Sequence, residues 1–391
     1  MPASEVSAEG GVRAGNGLGV SSDGRLALEA ALGEALAPLD GLAPDLLLLF
    51  MSAAYRDQYD ELLRLAAERS RAVELAGCSA SGVIAGAREL EDAPGVAALA
   101  LKLPPGAVLS VRHLAGDEPP DAGIPASVCH GLVVLADPFS ADVGRLIAAL
   151  EQRYAGTPIV GGLATGVPGA QWTSVFRGTT VHDDGAVVIG VGGTLQLRPV
   201  VSQGCEPIGQ PWTITDASQN IVRSIGGRPA YQVLVETVQN LDPEQRDRAS
   251  SNLLVGLAMN EYRDAFARGD FLIRNLIGVD PRSGAIAIGA EAQVGHTLQF
   301  QVRDARAADA ELRQMLQAVT QEPSSSAALL FACNGRGIGL FGAPDHDART
   351  VRELLGGLPL AGLFCNGEIG PVGEKNFLHG YTASLALFVR K

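Results

Sequence analysis

Apolar positions along the chain alternate between continuous runs and stretches where they recur at helical spacing. A run from Leu46 to Phe50 precedes a polar loop at Ser52, then YRDQYDELLRLAAERS with apolar residues on one helical face, then VELAGCSASG. This order predicts strand, loop, helix, strand. The same grammar returns at GLVVLADPFS, ADVGRLIAALEQRYAG and PIVGGLATG, where Ser140 suits an N-cap and Gly156 a helix stop. It returns again at AALLFACNGRG, DARTVRELLGG and LPLAGLFCNGEIG. The closing strands LAGCSASG, VGGLATG and LAGLFCNGEIG each set a glycine shortly before a polar turn, which reads as an internal repeat. The plainer alternative is that glycine simply ends buried strands in α/β proteins.

Between these units, GVAALALKLPPGAVLSVRHL, TSVFRGTTVHDDGAVVIGVGG and FLIRNLIGVDPRSGAIAIGAEAQVGHTLQFQVRD have β character, with hairpin turns at Asp-Asp-Gly and Pro-Arg-Ser-Gly. Residues 1–24 are rich in Gly, Ser and Ala without periodicity and read as a disordered tail. A break near residue 205 divides the rest into an α/β domain over 25–204 and another over 205–391. The expected fold class is α/β: two domains of mixed sheets built from repeated strand-helix-strand units, with a ligand cleft at the strand C-terminal ends.

At 391 residues with 47% hydrophobic side chains, the chain is long enough for two or three domains. The formal charge is -13 and Lys and Arg form no cluster, which argues against an extended nucleic-acid or anionic-membrane surface. No apolar run reaches the length of a membrane span, and no signal peptide is indicated. Five cysteines without CxxC spacing fit a reducing cytoplasm. The six histidines are scattered singly, so no dedicated metal site is expected.

The most distinctive local feature is a duplicated tripeptide: Cys333-Asn334-Gly335 followed by Arg336, and Cys365-Asn366-Gly367 followed by Glu368. Each stands where an apolar strand stops. Together with Cys78 and Ser79 these turns are candidates to line one cavity, since strand-end loops carry free backbone groups. Asparagine offers donors and an acceptor, and Arg336 with Glu368 suits a small zwitterion. The bland reading is that Asn-Gly makes turns and the cysteines are buried hydrophobes. His379 is the histidine nearest in sequence to the Cys365 loop, which leaves a Cys-dependent transferase or hydrolase as an alternative.

At AGCSASGVI, PIVGGLATG, SQGCEPIGQPWTIT, ALLFACNGRG, LAGLFCNGEIGP and LHGYTASLALF the sequence resembles the FIST family (F-box and intracellular signal transduction), over about residues 40 to 388. One departure is Val83, where the family pattern leads us to expect an acidic residue after the glycine, as Glu368 follows Gly367. The resemblance implies a sensory domain for a small ligand, an amino acid or relative, acting on a separate signalling partner such as a histidine kinase. It also opens a haem-based nitric-oxide sensor, in which His379 is the best-placed axial ligand. Otherwise no cofactor is expected.

Overall fold

The computed structural model describes residues 11–116, 120–263, 265–321 and 325–391. The first repeat contains β1 (Arg13–Val20), α1 (Gly24–Leu36), β2 (Leu46–Ser52), α2 (Tyr59–Ser70), β3 (Glu74–Ala80), the hairpin β4 (Gly82–Ala85) and β5 (Arg88–Leu90), and β6 (Gly95–Lys102). The second contains β7 (Ala107–Leu114), β8 (Cys129–Ala136), α3 (Val143–Arg153), β9 (Ile159–Leu163), the hairpin β10 (Val175–Arg177) and β11 (Thr180–His182), and β12 (Ala186–Gly193).

The third opens with β13 (Leu195–Ser202) and is then interrupted by β14 (Cys205–Ser218), β15 (Ile221–Ile225), β16 (Arg228–Pro229), α4 (Ala230–Gln239), α5 (Pro243–Asn252), β17 (Leu253–Ala258), β18 (Phe271–Asp280), β19 (Ala285–Ile288) and β20 (Thr297–Arg303). After α6 (Ala305–Thr320) it resumes as β21 (Ser325–Cys333), α7 (Gly337–Phe341), α8 (His346–Leu354), β22 (Leu360–Cys365), the hairpin β23 (Glu368–Val372) and β24 (Lys375–His379), and β25 (Ala383–Arg390).

Three six-stranded sheets share one strand plan: β1-β6-β2-β3-β10-β11, β7-β12-β8-β9-β23-β24 and β13-β25-β21-β22-β4-β5. Each repeat keeps its first three strands and its last in its own sheet and gives the hairpin between them to another. The pairs β2/β3, β8/β9 and β21/β22 are parallel, as the strand-helix-strand reading requires. β2 is buried along its whole length. One face, with Leu48 and Phe50, joins Val133, Leu135, Leu329 and Phe331 in a core shared by all three sheets. The other, with Leu47, Leu49 and Met51, packs on α1 and α2. Burial on both faces is why this strand reads as an unbroken apolar run.

The chain separates into two compact units, the second of residues 202–312 with 379–381 and the first of the remainder. It is therefore not divided into consecutive halves at 205: the C-terminal segment returns to the first unit. In the second unit β14 pairs with both β20 and β15, so β14-β20-β17-β18-β19-β15 close into a six-stranded ring. Its core joins Ile214, Val255, Ile286, Leu298 and Phe300 to Val233 and Leu234 of α4.

The expected tail over residues 1–24 is corrected from Arg13 onward, because RAGNGLGV pairs with β6 from Arg13↔Lys102 to Val20↔Gly95; residues 1–10 lie outside the described residues. The alternating glycines that look like low complexity are a packing device. A Cβ at Gly15, Gly17 or Gly19 would stand 2.3, 2.0 or 1.7 Å from a carbonyl oxygen of α1, so only glycine lets the helix lie directly on the strand.

Candidate functional site

The repeats superpose in register at one step of their closing strands. Gly77 stands opposite Leu49, Gly161 opposite Val134 and Gly362 opposite Leu330. A Cβ there would fall 1.9, 1.9 or 1.8 Å from the partner carbonyl oxygen, so each glycine permits an approach no other residue allows. Counting on from these glycines, the same step is Ser81, Thr165 and Asn366. All three are polar, and hydrogen bonds that run through Asn334 join them. The Thr165 hydroxyl lies 3.2 Å from Ser81 Oγ and accepts from the Ser81 N–H at 2.7 Å. Ser81 Oγ donates to Asn334 Oδ1 at 3.0 Å, and Asn334 Nδ2 donates to Asn366 Oδ1 at 2.9 Å. The Asn334 N–H donates to the Cys365 carbonyl at 2.8 Å, which fixes the two Asn-Gly turns side by side. Ser81, Cys333 and Asn334 are half-buried, Asn366 is exposed and Thr165 is buried, so the patch is partly open to solvent.

The other expected site residues lie beneath it. Cys78, Ser79, Cys365, Glu368 and Arg336 are wholly buried. Ser79 Oγ accepts from the Ser174 N–H at 3.0 Å, tying β3 to the strand after it. Arg336 is turned from the patch toward Asp347, with Nε 2.6 Å from Oδ2 and an NH2 group 2.9 Å from Oδ1. His379 belongs with the second compact unit. A cavity of about 720 Å³ lies elsewhere, lined by Leu114, Ser140, Arg145, Arg153 and Asp184 among others.

The FIST N domain matches residues 45–228 and the FIST C domain matches residues 230–371. The chain belongs to the FIST family. FIST domains are sensory domains of signal transduction. In this FIST protein the boundary between the two matches falls inside the inserted barrel, so the domains recognised in sequence are not the compact units. Uncharacterized proteins of Mycobacterium tuberculosis and Mycobacterium bovis are 40% identical to it over 383 residues, covering 97% of this chain and at least 99% of theirs. An F-box/LRR-repeat protein of Arabidopsis thaliana is 28% identical over 113 residues, covering 24% of this chain and 21% of that one. A cyanuric acid hydrolase from A. caulinodans gives a TM-score of 0.38 at 9% identity, covering 97% of this chain and 99% of that one. No helix among the described residues is long and apolar enough to cross a membrane.

Electrostatics under the FIST patch favour neutral groups. Burial pushes the Glu368 carboxyl up to about 8, against the lowering effect of the Thr382 N–H, the Cys365 thiol and the Gly367 N–H. Burial, then the Glu368 charge, likewise raises the Cys365 thiol well above its ordinary value. A carboxyl raised from 4.5 binds its proton more tightly in the folded state, so its contribution is whole below pH 4.5 and is lost as pH rises through about 8. Stability is expected to fall across that window in the wild type and to fall less in Glu368→Gln, checked by urea unfolding at several pH values. An identical slope in the variant would contradict the assignment.

Asn334 and Asn366 are among the site residues expected from the sequence, and Ser81 and Thr165, which the structure brings beside them, are not. The signal was present: aligning the three closing strands on their glycines puts Ser81, Thr165 and Asn366 in one column.

Proposed function

We propose that this FIST protein is a cytoplasmic sensor that binds a small polar metabolite, of the amino-acid class, on the patch of Ser81, Thr165, Cys333, Asn334 and Asn366, and acts through a separate signalling protein such as a histidine kinase. The observation behind this reading is the run of hydrogen-bonded side chains contributed by all three repeats at the strand ends, half-open above an apolar core. All three repeats supply a polar residue at this step. Amides and hydroxyls offer donors and acceptors together, which suits a zwitterion held by dipoles. Arg336 and Glu368 shape the floor: Arg336 serves Asp347, and Glu368 is buried beneath the Cys365 loop. A cysteine enzyme finds less support, because Cys365 is buried and its thiol is raised.

Thermal-shift screening of amino acids and small carboxylates on the full chain tests the reading. A stabilising ligand is expected for the wild type. Its affinity is expected to drop by about tenfold or more in Asn334→Ala and Asn366→Ala, the equivalent of about 1.4 kcal/mol. A ligand whose affinity both variants leave unchanged would remove this site. A visible spectrum on the same sample with added haem separates the haem-sensor alternative, which predicts a ligated-haem band.

A further inference from the structure

Two histidines remote in sequence meet at a junction of sheet edges. β7 is the edge strand of the second sheet and β11 the edge strand of the first. His113 on β7 and His182 at the end of β11 stack with ring centroids 3.6 Å apart and planes inclined by 15°. Asp184, in the turn that follows β11, places Oδ1 3.5 Å from His113 Nε2, and its main-chain carbonyl oxygen lies 2.9 Å from the same nitrogen. Ligand atoms of all three side chains lie within 4.8 Å of one another.

The first repeat shows that the fold does not demand these groups. In register, His182 opposite Val175 corresponds to Leu90 opposite Val83. His113, opposite Val187, corresponds to Leu18, opposite Ala97, because Val188 faces Val134 as Ala98 faces Leu49. Two leucines, Leu18 and Leu90, thus fill in one repeat what two imidazoles occupy in another. Two imidazoles beside a carboxylate have no packing advantage over leucine, but they bring three metal-ligating side chains together; to share one ion the rings turn out of their stack, since each nitrogen lone pair lies in its ring plane. Bonds of about 2.1 Å at tetrahedral angles set donors about 3.4 Å apart, close to the His113 to Asp184 spacing.

We propose that His113, His182 and Asp184 form a binding site for a divalent first-row transition metal ion, of the zinc and cobalt class, with open positions left for solvent. Two imidazoles and one carboxylate are a donor set suited to such ions and poorly suited to magnesium or calcium, which prefer oxygen. The histidines are half-buried and Asp184 is exposed, so the metal has a route from solvent.

The test is titration of the metal-free full chain with Co²⁺, followed by visible absorption. One equivalent is expected to bind with d–d bands and without the near-ultraviolet charge-transfer band that cysteine ligands add. His182→Leu copies the first repeat, and Asp184→Asn alters an exposed side chain. Each is expected to weaken binding by more than about tenfold through loss of a direct ligand. Absence of tight binding in the wild type, a thiolate band, or affinity unchanged in both variants would overturn the proposal. Should His182→Leu fail to fold, Asp184→Asn alone decides.

Discussion

Replacing Gly362 with alanine is expected to cost about 4 kcal/mol or more, enough to unfold an ordinary domain or leave it insoluble. The added Cβ would stand 1.8 Å from the Leu330 carbonyl oxygen and 2.8 Å from its carbonyl carbon. Both are backbone atoms in the middle of a parallel pair, so no side chain can move aside. The only relief is to part β21 from β22, which breaks the ladder and opens the core shared by the three sheets. Gly77 and Gly161 hold the same step in the other repeats, and alanine there should be as damaging. Urea unfolding followed by circular dichroism measures the effect. A loss below about 1 kcal/mol would mean the close approach is not made.

Asp347→Asn is expected to cost about 3–5 kcal/mol, because it leaves a fully buried guanidinium without its counter-charge. Arg336 and Asp347 are 0% and 1% exposed and share two charge-assisted hydrogen bonds. Breaking such a pair differs from replacing it. Arg336→Met combined with Asp347→Leu should recover most of the loss, since neither desolvated charge then remains. pH supplies a second readout. Burial alone would raise the Asp347 carboxyl, but the Arg336 charge and the His346 hydrogen bond hold it down to about 2. A depressed carboxyl contributes stability that is whole above its ordinary 3.8 and is lost as pH falls through about 2. Thermal melts of the wild type should show that acid limb, and those of the double variant should lack its share. A double variant as unstable as Asp347→Asn would show that the pair does more than cancel charge.

The repeats were legible in the sequence because each central strand is buried on both faces and each following helix on one, and these two periods differ sharply. β1 was not legible. Its glycines answer to α1, a partner whose contact is made in space rather than by local pattern. The inserted barrel was read as the start of a second half, since β13 and β14 look alike as strands and nothing local marks one as returning to an earlier sheet. At the site, the Asn-Gly turns announced themselves by duplication. Arg336 did not reveal its direction: its partner, Asp347, is eleven positions along in a helix, and any exposed carboxylate or ligand would have suited it equally in sequence. His113 and His182 are separated by an entire strand-helix-strand unit, beyond the reach of any spacing rule.

The exchange of hairpins also dictates when the protein can finish folding. The first sheet lacks its β10 and β11 until residues 175–182 are made, the second its β23 and β24 until 368–379, and β13 waits for β25 at residues 383–390. Neither of the first two repeats can therefore complete its sheet as it leaves the ribosome, and two partly formed sheets must stay compatible while the barrel between β13 and β21 is synthesised. Pairings this remote make for slow assembly with most of the stability arriving at the last strand. Once closed, the three sheets should melt together, because no one of them can open without taking a hairpin away from another.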